Sequence, residues 1–111
     1  MRVLLGNLRR LDVVGVYVFE ILDKNGRLTH LSNERWNHIR KKHPEIEYPE
    51  LLLDTVRNYD KITQVHADQT IYYFWKYYKN KLNPNKFLLV VVKYLNGNGY
   101  VLSAYYEDKI K

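Results

Sequence analysis

The sequence predicts an α+β domain in which an N-terminal strand and two helices pack on a four-stranded antiparallel sheet. Two observations predict this architecture. Apolar residues recur at helical spacing between residues 33 and 58, and four later segments are rich in β-branched and aromatic residues, with turn signals between them. The 111 residues are 46% hydrophobic, and no linker or repeat divides them. We therefore expect one domain, spanning residues 1–111, with a modest core.

The first predicted element is a strand over residues 13–23. This segment is rich in β-branched and aromatic side chains, and the run Lys24-Asn25-Gly26 after it is typical of a turn.

The first helix is predicted to begin at Ser32 or Asn33 and to run to about Lys42. The side-chain oxygen of either residue can accept hydrogen bonds from the first free backbone N–H groups of a helix. Pro44 ends the helix because its ring cannot continue one. Three residues at helical spacing mark the inner face: Trp36, Ile39 and His43.

A second helix is predicted from Pro49, which suits the first helical position, to about Asn58. Its residues for burial are Leu51, Leu52, Leu53 and Val56.

Four strands are predicted after the helices, over residues 61–66, 70–79, 86–94 and 100–107. The run Asn96-Gly97-Asn98-Gly99 is a strong hairpin signal between the last two strands. Residues 80–85, which include Pro84, join the second and third of them.

One face of such a sheet packs on the helices, and the other is open. In the last strand the more apolar set is expected on the helix side: Tyr100, Leu102, Ala104 and Tyr106. The alternate set is expected on the open side: Val101, Ser103, Tyr105 and Glu107. Lys76 is the strand cation that is hardest to bury, so its set is also assigned to the open side: Tyr72, Phe74, Lys76 and Tyr78.

The charge balance favours a polyanionic partner. Lys and Arg total 18 against 12 acidic residues, a formal net charge of +6, which favours nucleic acid over a membrane surface. A basic surface without a partner is the alternative. The N-terminal run MRVLLGNLRR is interrupted by Gly6, Asn7 and two arginines, unlike a signal peptide, and no apolar run is long enough to span a bilayer. A cytoplasmic location without a membrane partner is therefore expected. The chain has no cysteine, so no disulfide is expected.

The histidines do not predict a metal site. His38 and His43 are five residues apart, about 140° around a helix, whereas ligand pairs need to share a face. No metal or cofactor is therefore expected. His43 has two interpretations: a helix C-terminal cap favoured by the helix dipole, or an acid or base held over the sheet. His38, among several cations, is expected to be solvated or to contact phosphate.

Two stretches of the chain are distinctive: Arg35-Trp36-x-His38-Ile39-x-x-x-His43-Pro44-Glu45, preceded by Leu28-Thr29, and Val101-Leu102-Ser103-Ala104-Tyr105. With the short helix, the Tyr-rich strand and the Val-rich strand between them, they resemble the phage-associated barnase–EndoU–colicin–RelE-like (BECR) nucleases. The resemblance covers roughly residues 28–107. It implies the same α+β shape and metal-independent cleavage of RNA, with the substrate 2′-hydroxyl as the nucleophile.

Carried over by position, the resemblance implies catalytic roles for His43 with His38 as its companion, for Lys76, and for Ser103. In these roles His43 moves a proton, Lys76 neutralises charge on phosphorus with Lys79 as the second choice, and Ser103 binds a phosphate oxygen. The RNA-binding candidates are Arg35, Arg40, Lys41, Lys42, Lys79 and Lys93 for the backbone and Tyr72 and Tyr105 for bases. Such an RNase is compatible with a toxin, or an effector from a phage or other mobile element, that has an antitoxin-like inhibitor.

Two other classes of function remain open from the residues. A nucleic-acid-binding module could use the same basic scaffold without cleavage. A protein-interaction domain could dock through four acidic residues on and before the second helix: Glu45, Glu47, Glu50 and Asp54. The oligomeric state is also left open by the sequence.

Overall fold

The computed structural model describes residues 17–79 and 86–111. In chain order, the elements are β1 (Tyr17–Leu22), β2 (Leu28–Ser32), α1 (Asn33–Lys42), α2 (Pro49–Arg57), β3 (Lys61–Gln64), β4 (Ile71–Tyr77), β5 (Phe87–Leu95) and β6 (Asn98–Glu107). Part of the predicted first strand, residues 13–16, and the connection at residues 80–85 lie outside the described residues. Neither helix is long and apolar enough to cross a membrane within the described ranges.

The strands form one six-stranded sheet in the order β1-β2-β6-β5-β4-β3. All neighbouring pairs are antiparallel except β2 and β6, which pair in parallel through Leu28–His30 and Asn98–Tyr100. The prediction of an α+β fold is confirmed, but the prediction of a four-stranded antiparallel sheet is wrong. The missing strand, β2, is only five residues long, and its parallel partner lies some 70 residues along the chain, so no local pattern indicates the pairing.

The turn between β1 and β2 is built around the Asp23 side chain. Its Oδ1 accepts hydrogen bonds from the backbone N–H groups of Asn25 (2.9 Å) and Arg27 (3.0 Å), which folds the chain back within a few residues. Between β5 and β6, Asn96 and Gly97 both have positive φ, 54° and 82°. Two consecutive positive φ values define the tight hairpin turn that the Asn-Gly pair predicted.

The helix boundaries follow their capping residues as predicted. The Ser32 Oγ accepts a hydrogen bond from the Arg35 backbone N–H (3.0 Å), so Ser32 is the N-cap of α1. The helix ends at Lys42, and the His43 N–H donates to the Ile39 carbonyl (2.7 Å) as the last helical bond. Pro49 is the first residue of α2. Among the described residues, no strand pairs with β6 on the β2 side beyond Tyr100, and α1 packs against β6.

The helices and one face of the sheet share a single core. From the helices and the loop between them it contains Ile39, Ile46, Leu52 and Val56, and from the sheet it contains Phe19, Ile21, Leu31, Phe74, Leu88, Val90, Val92, Tyr94, Val101, Ala104 and Tyr106. Burying apolar side chains on both sides of this layer is the main force that holds the helices on the sheet.

The faces of β4 are opposite to those predicted. Phe74 is fully buried in the core, and Tyr72 and Tyr78 pack against it, so this set of alternate residues, which includes Lys76, faces the helices. We call the other side of the sheet the outer face. It carries Tyr73, Trp75 and Tyr77 from β4. The presence of one lysine misled the prediction, because a long lysine side chain can lie along an apolar face with its ammonium at the margin.

A β-bulge changes the alternation in β6. Val91 pairs with Ser103 but Val92 pairs with Val101, so Leu102 is an extra residue in β6. As a result, Val101 joins Ala104 in the core, while Ser103 and Tyr105 lie on the outer face. The prediction that Val101 shares a face with Ser103 is therefore wrong, and the placement of Ser103 and Tyr105 away from the helices is correct.

Candidate functional site

The outer face near the end of α1 brings together two of the residues singled out from the sequence. His43, at the end of α1, stacks its ring on that of Tyr105, with 5.5 Å between the centroids and 30° between the planes. The contact is possible because α1 packs against β6, which places the C-cap residue of the helix, His43, beside Tyr105 in the last part of that strand. A ring held by stacking keeps its orientation at a low entropy cost.

A carboxylate and solvent lie beside the His43 ring. Its Nδ1 lies 3.6 Å from a carboxylate oxygen of Glu45, and the His43 side chain is 31% exposed. An imidazole that solvent reaches is a common general acid or base in catalysis. Within the described part of the chain, no hydrogen bond is found at the other ring nitrogen, Nε2.

Tyr105 contributes a phenol that stays neutral. Partial burial, the neighbouring Tyr73 and the Glu107 carboxylate raise the pKa of the Tyr105 hydroxyl, and Lys111 only partly opposes them. A neutral phenol can donate a hydrogen bond to an anionic oxygen at any pH near neutrality. The His43 imidazole and the Tyr105 phenol are thus a potential proton acceptor and a hydrogen-bond donor side by side.

Ser103 lies two residues before Tyr105 on the same face. It pairs across the sheet with Val91, which in turn pairs with Tyr73, so all three side chains point outward. Trp75, next to Tyr73, is buried, and its indole N–H donates to Thr63 Oγ1 (3.3 Å). The indole is therefore not exposed at this surface, and Ser103, Tyr73 and Tyr105 are its partly exposed groups.

Lys76 does not join this group. It pairs across the sheet with Leu88, a core residue, and its Nζ donates to the Asn58 carbonyl at the end of α2 (3.2 Å). Lys76 and Ser103 thus lie on opposite faces of the sheet, so Lys76 is not brought together with His43 and Ser103, the other residues to which the resemblance gives catalytic roles. Tyr72 is on the helix side too, edge-on to Tyr94 with 5.4 Å between centroids.

The cations of α1 divide into two groups. The Arg40 guanidinium donates to the carbonyls of Pro44 and Ile46 and so ties down the loop toward α2. On the helical wheel, Arg35, His38 and Lys42 form one stripe, on the flank away from Arg40. Lys41 and Lys42 are exposed in the last turn. We call Arg35, His38 and Lys42 the α1 basic stripe.

The two remaining lysines among the predicted binding residues lie at different places. Lys79 is exposed just past the end of β4. Lys93 is on the outer face of β5, and its Nζ lies 3.5 Å from Asp68 Oδ2. Among the described residues of the central strands β4, β5 and β6, Lys93 is the cation on the outer face, the face that carries Ser103.

The sequence interpretation missed a second polar group on the outer face, around His30. The ring lies between Tyr17 and Tyr100, with centroids 4.9 Å from each, and the residue is 7% exposed. Its Nδ1 is 2.7 Å from Glu20 Oε2, and its Nε2 is 3.3 Å from Asn98 Oδ1. No motif surrounds His30 in the sequence. Its only signal is alternation along β2, a strand that was itself not predicted.

Residues 17–79 and 86–111 contain no cluster of three or more His, Asp or Glu side chains that could hold a metal ion. Comparison of the chain with protein-family models, with characterised proteins and with solved structures finds no match.

Proposed function

We propose that this protein is a metal-independent endoribonuclease that cleaves RNA through the substrate's own 2′-hydroxyl, with His43 as the proton-transfer group. The observation that carries the proposal is the His43 ring fixed on Tyr105, on the face that presents Ser103. The motif resemblance to the phage-associated BECR nucleases supports it, because two of its site positions, His43 and Ser103, meet at this face.

The chemistry needs few groups. The His43 imidazole takes the proton of the 2′-hydroxyl, whose oxygen attacks phosphorus to form a 2′,3′-cyclic phosphate. The bond to the 5′-oxygen breaks, and that oxygen takes a proton from solvent. General base catalysis of this kind typically contributes a factor of about 10²–10⁴.

Charge on the phosphate is stabilised by groups near His43. The hydroxyls of Ser103 and the neutral Tyr105 donate hydrogen bonds to nonbridging oxygens. These hydrogen bonds stabilise the transition state most, because negative charge develops on those oxygens there. The α1 basic stripe attracts the RNA backbone, and this part of the affinity falls with added salt. Lys76, on the other face, has no role in this scheme.

The reaction scheme is tested by the products and by a single-atom change in the substrate. We expect RNA fragments that end in a 2′,3′-cyclic phosphate, and no cleavage at a linkage whose 2′-hydroxyl is replaced by hydrogen. Cleavage of that 2′-deoxy linkage at the same rate would contradict the scheme, because no other nucleophile is assigned. The reactions are run with and without ribosomes, so that RNA that is cleaved only on the ribosome is also tested.

A second candidate is a nucleic-acid-binding module that does not cleave. One observation favours it: the strand cation that the resemblance implies, Lys76, faces the helices and not the candidate site. This alternative predicts salt-dependent RNA binding that His43→Ala and Ser103→Ala leave intact, with no cleavage product. Binding without a cleavage product therefore distinguishes this alternative from the nuclease in the same experiment.

A further inference from the structure

The outer face is organised in rows across β6, β5 and β4. Cross-strand pairing places Tyr105, Leu89 and Trp75 in the first row, Ser103, Val91 and Tyr73 in the second, and Tyr100, Lys93 and Ile71 in the third. Each row is two residues further along β5, a rise of about 6.7 Å. This spacing is comparable to the backbone repeat of an extended single strand of nucleic acid.

Each row offers one partly exposed tyrosine and one polar group. The tyrosines are Tyr105, Tyr73 and Tyr100, and the polar groups are His43 (beside the first row), Ser103 and Lys93. Beneath them, Trp75 and Leu89 are almost fully buried. The bulge at Leu102 lets Tyr100 and Ser103 lie on the same face, because regular alternation would place residues three positions apart on opposite faces.

The third row is held in place by its neighbours. The Tyr100 ring stacks on buried His30 at an interplanar angle of 15°. Asp68 Oδ1 accepts from the backbone N–H and the hydroxyl of Thr70 (3.0 and 2.6 Å), and its Oδ2 faces Lys93. At 3.5 Å and with both side chains a third or more exposed, this ion pair is weak, so Lys93 can turn to a phosphate at low cost.

We propose that the three rows are a track for three consecutive unpaired nucleotides, which runs along β5 from His43 to Lys93. Tyr73 and Tyr100 stack on bases, Tyr105 and Ser103 hold the phosphate at His43, and Lys93 contacts a phosphate that follows it. The inference deepens the proposed function by naming the substrate class, single-stranded RNA. A duplex does not fit this surface, because its bases are already stacked on one another and present no free faces to the tyrosines.

Binding of uncleavable probes tests the track independently of catalysis. The probes are 2′-O-methyl oligoribonucleotides of two and four nucleotides, in competition with a fluorescent 2′-O-methyl decamer. We expect Lys93→Ala to weaken binding of the tetramer, to leave the dimer unchanged, and to lower the slope of log affinity against log salt for the decamer by about 0.7. Lys76→Ala, on the other face, is the matched control and should change none of these values.

Stacking is tested with Tyr73→Leu, which we expect to weaken decamer binding by about tenfold. Tyr48→Leu is the control, because Tyr48 is 60% exposed and lies at the start of α2, away from the track. Thermal unfolding of each variant checks that it remains folded. A duplex of the decamer sequence should bind more weakly than the single strand at the same salt concentration.

Two results would overturn the track: equal losses for Lys93→Ala and Lys76→Ala, or a duplex that binds as tightly as the single strand. His43-dependent cleavage together with either result would overturn the track and leave the proposed function standing. The expected binding results without any cleavage would support the track and overturn the nuclease.

Discussion

The His43 ring lies on the Tyr105 ring, 5.5 Å from centroid to centroid, although the two residues are 62 positions apart in the sequence. The contact joins the end of α1 to the outer face of β6, so the helix that supplies the imidazole is also the element that fixes its direction. His43 is the C-cap of α1, and its backbone N–H donates to the Ile39 carbonyl. This bond uses only the backbone, so it leaves both interpretations of the imidazole, a cap favoured by the helix dipole and an acid or base, open to experiment.

Lys76→Ala is expected to leave RNA cleavage and RNA binding within twofold of the wild type. The ammonium donates to the Asn58 carbonyl on the helix side, so its loss changes a surface contact there, by about 1 kcal/mol or less in the free energy of unfolding. Cleavage rates and urea unfolding of the purified variant measure both effects. A loss of cleavage of a hundredfold or more, with stability unchanged, would show that the reacting phosphate lies on the other face.

His30→Ala is expected to lower the free energy of unfolding by about 2–4 kcal/mol. The substitution removes a buried ring from between Tyr17 and Tyr100 and leaves the Glu20 carboxylate without its contact. Urea unfolding measures the change, and His66→Ala is the matched control, because His66 is exposed in the loop after β3 and should change stability by no more than about 0.5 kcal/mol. Equal small losses in both variants would mean that the His30 cluster contributes little to holding β1 and β2 on β6.

Stability at alkaline pH is expected to depend on Tyr94. Burial, and then its hydrogen bond to the Asp23 carboxylate (2.6 Å), raises the pKa of the Tyr94 hydroxyl far above its ordinary value. Above pH about 10 the unfolded chain loses this proton while the folded chain keeps it. The folded state then binds more protons, so stability falls as pH rises, by up to about 1.4 kcal/mol per pH unit from this group.

Tyr94→Phe should therefore be less stable than the wild type at neutral pH by about 1–3 kcal/mol, because Asp23 loses a donor. Its free energy of unfolding should fall less steeply between pH 10 and pH 11. Urea unfolding at pH 7, 10 and 11 measures both quantities. Parallel pH dependence in the two proteins would assign the alkaline loss to other groups, of which Tyr78, also with a raised pKa and bonded to Asp54, is the first to test.

Local signals in the sequence were sufficient for the helices and most strand boundaries. Ser32, Pro49 and the Asn96-Gly97 pair each act within a few residues, so their effects could be read directly from the sequence. The strand β2 could not be predicted in this way, because it forms through a long-range parallel pairing with β6. The Leu102 bulge also has no signal in the neighbouring sequence, and because of it Val101 lies on the opposite face of the sheet from the one predicted.

The candidate site was predicted in part for the same reason. Ser103 and Tyr105 were assigned to the right face, because alternation from Ser103 onward continues to the end of β6. Lys76 was assigned to the wrong face, since its charge was given more weight than the apolar Phe74 two residues away. The third row, with Lys93 beside Tyr100, depends on register between strands, which no single stretch of sequence reveals.

The most direct test of the account is RNA cleavage in the presence of EDTA by the wild type, by His43→Ala and by the control His66→Ala. We expect the wild type and His66→Ala to cut unpaired RNA at equal rates with a metal chelator present. His43→Ala should be slower by at least about a hundredfold while it remains folded, the range that a lost acid–base group gives. Cleavage by folded His43→Ala at the wild-type rate, or intact RNA with the folded wild type even when ribosomes are supplied, would contradict the central claim.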